Sequence, residues 1–317
     1  MKLKRLTRST PVRILEVAIV YVMISTAGFV PIRVMRGISI ALGDALFFVS
    51  SRRRNIALDN LTKAFISEKN EKEIRRIARE SCRQFIFTFL EVMKFRHHFN
   101  DPDRRNSFRQ KTKNISDLFK NLREIHDSSG GCIIVTPHIG NWEMLPHIAS
   151  NAGIPVAVVA RPLDNKYLER LIYADRTSSG QGLIHKNNAL SALRKTLRSG
   201  ISVGMLPDQS TAKGLEIDFF GRPATTTPVP ALLSINCKKP IVVVACCRKN
   251  ILEQYDGFVS APIWPGNKNK KEEIFRITTE MNRQMEKIIR KYPEQYLWMH
   301  NRWKTYKGQK AIFSERK

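Results

Sequence analysis

The sequence predicts an α/β protein, a mixed central sheet flanked by helices, with an N-terminal membrane-anchor helix in front of it. Three observations predict this. From residue 131 onward, short apolar runs of strand length alternate with longer helical segments. Near the start, Val17 to Ile32 runs 16 residues without a charge. Finally, a histidine lies just beyond the first short apolar run, and the carboxyl ends of strands are where open α/β sheets gather their active-site residues.

The first 13 residues carry Lys2, Lys4, Arg5, Arg8 and Arg13 and no acid. As a helix, Val17–Ile32 would span roughly 24 Å, short of a ~30 Å hydrocarbon core. Glu16 and Arg33 bound it. A signal peptide and a buried core helix are the competing readings. The segment lacks a clean small-x-small cleavage site, and a second apolar stretch, Ile38 to Val49, comes next, broken by Asp44. An anchor, spanning or half-inserted, is favoured, because basic flanks suit anionic headgroups and a cytoplasmic N-terminus. Residues 1–50 are therefore read as basic N-terminus and anchor.

Residues 51–130 read as a helical segment packed on the domain downstream of it. RRRNIALDNLTKAF places Ile56, Leu58, Leu61 and Phe65 at helical spacing, and a new helix is expected to start near residue 68. The very apolar stretch Gln84 to Phe95 faces either membrane or core. Residues 96–114, polar and basic with His97 and His98, read as a solvated loop.

Residues 131–317 read as the α/β core. Strands are expected at 132–136, 155–160, 201–206 and 241–247, with an alternating run at 215–220. Helices are expected from about Trp142, over 165–178 and 188–199, from about residue 229, and over 271–291. No internal repeat, heptad run or low-complexity block interrupts them.

The 317 residues hold 54 Lys and Arg against 28 Asp and Glu, a formal net charge of +26 and a pI of about 10.2. An apolar share of 42% excludes wholesale disorder. Net charge is +7 over residues 1–60, +6 over 61–130, +5 over 131–260 and +8 over 261–317, so no basic tail accounts for the excess. A folded body this basic implies an anionic partner: nucleic acid, a phospholipid surface or an acidic protein. Nucleic acid is disfavoured, because there is no zinc-finger spacing, no RNP-like box and no basic-region helix. Five cysteines (Cys82, Cys132, Cys237, Cys246, Cys247) form no C-x-x-C pair and read as reduced core residues.

The chemistry centres on His138-Ile139-Gly140-Asn141-Trp142-Glu143. His138 stands at the end of a strand, Asn141 is a suitable helix N-cap, and Glu143 would lie in the first helical turn. One tight turn separates His138 from Glu143, so the carboxylate is within reach of a ring nitrogen. It would fix the tautomer and leave the other nitrogen as a general base. Gly140 allows close backbone approach, and helix N-terminal N–H groups could meet developing negative charge. A polar loop histidine beside a glutamate that complements the helix dipole remains an open alternative at this spacing. His147 would extend the pattern to H-x4-E-x3-H, but no second acidic cluster completes a metal site, so no metal is expected. Without a G-x-S-x-G elbow, direct attack by an acceptor is preferred over a covalent acyl-enzyme.

Five further blocks come in order: R-P-L-D-N (161–165), D-R (175–176), L-P-D-Q (206–209), F-F-G-R-P-A-T-T-T (219–227) and Y-P-E-Q-Y-L-W-M-H-N-R-W-K (292–304). With these the chain resembles the bacterial lipid A biosynthesis (late) acyltransferases, within the lysophospholipid acyltransferase superfamily, over nearly its whole length. The resemblance implies a glycerolipid-acyltransferase-like core at the cytoplasmic face of the inner membrane. It implies acyl transfer from acyl carrier protein to a hydroxyl of an anionic lipid A precursor, that of its 3-hydroxyacyl group, with no cofactor. The family's H-x4-D/E motif maps onto His138 and Glu143, its arginine onto Arg176 and its P-D-Q aspartate onto Asp208, expected to hold Arg176 or its own loop. Asn141 and Arg161 are expected to support substrate binding. One departure is Pro228-Val229-Pro230, where relatives often carry glycine and small residues. It leaves another glycolipid or a lysophospholipid as the alternative acceptor.

Overall fold

A computed structural model describes residues 10–100, 113–160, 165–167, 169, 182–185, 189–249, 254–267 and 269–306. Four helices come first: α1 (Thr10–Ala27), α2 (Ile32–Val49), α3 (Ser51–Ala64) and α4 (Glu71–Asn100). The charge-free run Val17–Ile32 is therefore not one helix. It breaks after Ala27, and Pro31 caps the start of α2, where its fixed φ and missing N–H suit an entry and not an interior. The helix that results, α1, starts earlier and takes in Arg13 and Glu16. At 18 residues it is long and apolar enough to cross a membrane, and only Ile24 and Ala27 are buried.

Asp44, the charge that breaks the second apolar stretch, is turned toward α4. It accepts paired hydrogen bonds from Arg79 (2.7 and 2.6 Å) and Arg83 (2.7 and 2.8 Å). These bonds hold its carboxyl far below the usual range. The neighbouring Gly43 makes the contact possible, since a Cβ there would lie 2.4 Å from the Arg83 Cα. Helix α4 starts at residue 71, not near 68, because Asn70 forms a capping box with Glu73: each backbone N–H donates to the other's side chain at 3.0 Å. At its far end α4 runs through residues 96–100, where the polar composition predicts a loop. Along Gln84–Phe95 the buried Phe87, Thr88, Glu91 and Phe95 show that this stretch faces the protein core, although Phe89 remains exposed.

Helix α5 (Lys113–Ser129) leads into the sheet. In chain order the sheet elements are β1 (Ile133–Val135), α6 (Leu145–Asn151), β2 (Val156–Ala160), β3 (Gly182–His185), α7 (Ala189–Arg198) and β4 (Ser202–Met205). The hairpin β5 (Leu215–Phe219) and β6 (Arg222–Thr226) comes next, then α8 (Val229–Cys237), β7 (Ile241–Arg248), β8 (Tyr255–Val259) and α9 (Lys270–Lys291). Six strands lie in the order β3-β2-β4-β1-β7-β8. Only the β7–β8 pairing is antiparallel, so the sheet is mixed but mostly parallel, with helices flanking it. Strands β1 and β7 are buried throughout, as continuous apolar runs in a parallel sheet require. All five cysteines are free, and four of them are buried. Burial pushes the Cys132 thiol up to about 11 and Cys82 to about 12, which makes them inert core residues.

The two faces of the sheet carry separate apolar cores. One includes Ile133, Val135, Val243, Ala245, Ile277, Met281 and Trp298 and reaches through Leu61 and Ile77 to α3 and α4. The other includes Ile134, Trp142, Ile148, Val156, Val244 and Phe119. The helical segment is thus packed into the same interior as the sheet, and its buried polar residues stand behind the strand ends.

Candidate active site

Strand β1 ends at Val135, and Thr136 and Pro137 carry the chain over the sheet's carboxyl edge to His138. The loop is then held almost entirely through its main chain. Gly140 donates to the Gln295 carbonyl (3.1 Å) and Asn141 to the Cys246 carbonyl (2.8 Å), while the His138 carbonyl accepts from Leu297 N–H (3.0 Å). Thr88 of α4 donates its hydroxyl to the Gly140 carbonyl at 2.8 Å. Gly140 sits at φ +60°, and a Cβ there would lie 2.1 Å from the Cys246 oxygen. Only glycine satisfies both the left-handed backbone and the close approach. A short 3₁₀ turn, Trp142–Met144, precedes α6.

Asn141 makes no side-chain cap bond to this turn. Its amide points inward and donates to Glu91 Oε2 at 2.8 Å, with the residue fully buried. Its position is therefore behind the site.

Asp208 occupies the place that the spacing assigns to Glu143. Three residues beyond the end of β4, it is 2% exposed. Its Oδ1 lies 2.7 Å from His138 Nδ1 and its Oδ2 accepts the His138 backbone N–H at 2.9 Å. A bidentate carboxylate thus fixes both the ring and the backbone of one residue, and sets the neutral tautomer with its proton on Nδ1. Nε2 faces outward, 3.4 Å from the side-chain nitrogen of the exposed Gln209. Glu143 reaches His138 through its charge. Burial pulls the imidazolium down, but Asp208's charge and hydrogen bond, with Glu143's charge added, raise His138 above the ordinary value near 6.5. Burial pushes Asp208 up, but the His138 charge and hydrogen bonds bring it below its usual range. Both members are therefore charged in the folded state between about pH 4 and 6.5, which is above an unfolded Asp pKa and below an unfolded His pKa. That stabilisation is lost as pH rises through the folded His138 pKa, and again as pH falls through that of Asp208.

Arg176 and Arg161 lie outside the described residues. The other blocks buttress the loop. Residues 293–299 form its floor: Trp298, fully buried, donates its indole N–H to the Pro293 carbonyl (2.6 Å), and Ile139 pairs with Tyr296 as an isolated bridge. Asn60 from the RRRNIALDNL stretch donates to the Trp298 and His300 carbonyls, at 2.8 and 2.7 Å. Arg302, 1% exposed, grips the hairpin at the Thr225 carbonyl (2.7 Å) and the Thr226 hydroxyl (2.6 Å). Burial lowers its pKa below the ordinary value.

A second buried pair lies outside the expectations drawn from the sequence. Glu91 accepts from Arg248 at 2.6 Å and from the Tyr255 hydroxyl at 2.8 Å. Arg248 also donates to Thr88 (2.8 Å) and Gln84 (3.2 Å). The available signal is charge placement: Glu91 interrupts an apolar helix and Arg248 ends an apolar strand.

Beside His138 an apolar slot opens between β1, β2, β4 and α6. Its walls include Ile134, Trp142, Ala149, Val158 and Gly204, with Leu206 toward the outside. The Trp142 ring meets the His138 ring edge-on at 5.4 Å between centroids. Among the described residues no cluster of His, Cys, Asp and Glu could hold a metal ion.

A histidine oriented by a buried carboxylate, with one nitrogen open next to an apolar slot, can take a proton from a group bound in front of it. The chain belongs to the bacterial lipid A biosynthesis acyltransferases, whose family model matches residues 4–305. It is 27% identical over 259 residues to the lipid A biosynthesis palmitoleoyltransferase of Escherichia coli K12, covering 80% of this chain and 79% of that protein. It is 26% identical to a Haemophilus influenzae lipid A biosynthesis acyltransferase over 83% of this chain and 81% of that one. It is 25% identical to the E. coli K12 lauroyltransferase over 87% of each. The protein is accordingly an acyltransferase of lipid A biosynthesis.

Proposed function

We propose that this enzyme moves a fatty acyl chain from acyl carrier protein to a hydroxyl of a lipid A precursor, that of its 3-hydroxyacyl group, at the cytoplasmic face of the inner membrane. The observation that carries this reading is the open Nε2 of His138, backed by the buried Asp208 and set beside the apolar slot. His138 takes the acceptor's proton at Nε2 as the oxygen attacks the thioester carbonyl, then returns it to the departing thiolate. Asp208 orients the ring and stabilises the imidazolium. Glu143 adds a second negative charge that favours the same cation. The acyl chain lies in the slot alongside Trp142. Arg161 and Arg176 contribute cationic contacts to the acceptor, and Asn141 supports the loop from behind.

The anchor and the charge fit the same setting. Helix α1 exposes Ile14, Leu15, Ile19 and Val22, and the +26 charge suits phospholipid headgroups, an acidic carrier and an anionic glycolipid together. The residues divide into the N-terminal anchor, a helical segment and a glycerolipid-acyltransferase-like core from residue 131. The test is to incubate detergent-solubilised protein with acyl carrier protein thioesters of several lengths and candidate acceptors, and to weigh the products. Transfer to a lipid A precursor is the expected result. Transfer only to another glycolipid or a lysophospholipid would overturn the acceptor and leave the chemistry standing.

A further inference from the structure

The dipeptide Asp208-Gln209 straddles the His138 ring. Asp208 holds Nδ1 from behind at 2.7 Å, and the Gln209 side-chain nitrogen stands 3.4 Å from Nε2 in front. With the ring proton on Nδ1, Nε2 bears a lone pair, and an amide NH₂ is the only end of a glutamine that pairs with it. The contact is long and Gln209 is exposed, so the amide is loosely held and open to the substrate side.

Acyl transfer needs a donor for the negative charge that develops on the thioester carbonyl oxygen. Backbone N–H groups often fill that role, but those of residues 138–141, next to the ring, are already engaged. His138 donates to Asp208, Ile139 to the Pro137 carbonyl, Gly140 to the Gln295 carbonyl and Asn141 to the Cys246 carbonyl. Ser210 N–H points at His300 Nε2 at 3.3 Å. Among the described residues the Gln209 amide meets only Nε2 itself.

We propose that Gln209 is a catalytic residue that donates its side-chain N–H to the oxyanion formed on the thioester carbonyl oxygen. This rests on the acyl-transfer reading. The acceptor oxygen bonds to the carbonyl carbon while its proton passes to His138 Nε2, and the carbonyl π pair moves onto oxygen. Once protonated, Nε2 is a donor, so the Gln209 amide loses its acceptor at the moment the oxyanion offers a better one. The oxyanion then re-forms the carbonyl, the C–S bond breaks, and the thiolate takes the proton from Nε2. The amide interaction with oxygen therefore strengthens in the transition state, where it lowers the barrier instead of merely tightening binding.

The experiment compares Gln209→Ala and Gln209→Met with wild-type full-length enzyme in detergent, using an acyl carrier protein thioester and a lipid A precursor. Met keeps the side-chain length and removes the amide, its donor included. Both variants should lose roughly 10²–10³-fold in kcat, the usual cost of removing one oxyanion donor, with KM for both substrates and the melting temperature nearly unchanged. Gln209→Glu should lose at least as much and move the acid limb of the pH profile upward, since its carboxylate stabilises the imidazolium. Retention of kcat within about fivefold in either Ala or Met, or a loss carried by KM, would overturn the proposal. A parallel His138→Ala separates the two failures. If it is inactive while the Gln209 variants are active, only the oxyanion role is lost; if it is active too, His138 is not the general base and this proposal falls with it, whereas no transfer by the wild-type enzyme would overturn the acyl-transfer reading itself.

Discussion

The protein buries two acid–base pairs on either side of one loop, and they are built to opposite ends. At Glu91–Arg248 every partner is internal: Thr88, Gln84, Asn141 and Tyr255 surround the two charges, and both residues are under 10% exposed. At Asp208–His138 the acid is equally buried, but the base is 17% exposed and keeps one nitrogen for an incoming group. A closed pair serves the fold, since its charges have nowhere else to act. An open pair carries chemistry, because the buried acid's influence is delivered to a single outward-facing atom.

The largest expected effect is on the open pair. His138→Ala should cost at least 10²–10⁴-fold in kcat, roughly the range of a general base, with membrane binding unchanged. Near-normal transfer by the purified variant would remove His138 from the mechanism. Asp208→Asn should come next, with a loss of roughly 10²–10⁴-fold. Asn must turn an NH₂ toward either Nδ1–H or the His138 backbone N–H, so one of two good contacts becomes donor against donor. The surviving activity should show its acid limb at lower pH, because the anion that raises His138 is gone.

The closed pair should respond in stability. Glu91→Gln leaves Arg248 buried without a counter-charge, which costs about 3–5 kcal/mol in a denaturant titration. The pH profile of the folded enzyme should keep its shape. A larger stability loss at Asp208→Asn than at Glu91→Gln would reverse the assignment of the two pairs.

The smallest effect is expected at Glu143→Gln, which removes a charge that His138 feels less strongly than that of Asp208. The acid limb should move to lower pH, in the same direction as Asp208→Asn but by less, with a modest change in the plateau. A loss as severe as that of Asp208→Asn would promote Glu143 to the primary partner.

Much of this was legible in the sequence. Strand-length apolar runs marked β1, β2, β4 and β7, because buried parallel strands leave that record. His138 was legible because it lies just beyond such a run. The partner of His138 was not, because sequence spacing ranks nearby carboxylates, and Asp208 is 70 residues away. Parallel pairing of β1 with β4 is what brings the two strand ends together. The break between α1 and α2 was hidden by a hydropathy count that scores Gly28 and Pro31 as uncharged and not as helix enders. The inward turn of Asp44 was hidden in the same way, since its partners Arg79 and Arg83 lie on another helix.

The main-chain grip on the His138 loop has an evolutionary consequence. The Cys246 and Gln295 carbonyls and the Leu297 N–H hold residues 138–141; any amino acid supplies such a carbonyl, and any but proline such an N–H. Selection on the loop's shape therefore falls on Gly140, on the path of β7 and on the two side chains that grip the loop's main chain, Asp208 and Thr88, and less on the side chains at Cys246 and Leu297. A geometry fastened in this way can persist while much of the surrounding chain diverges.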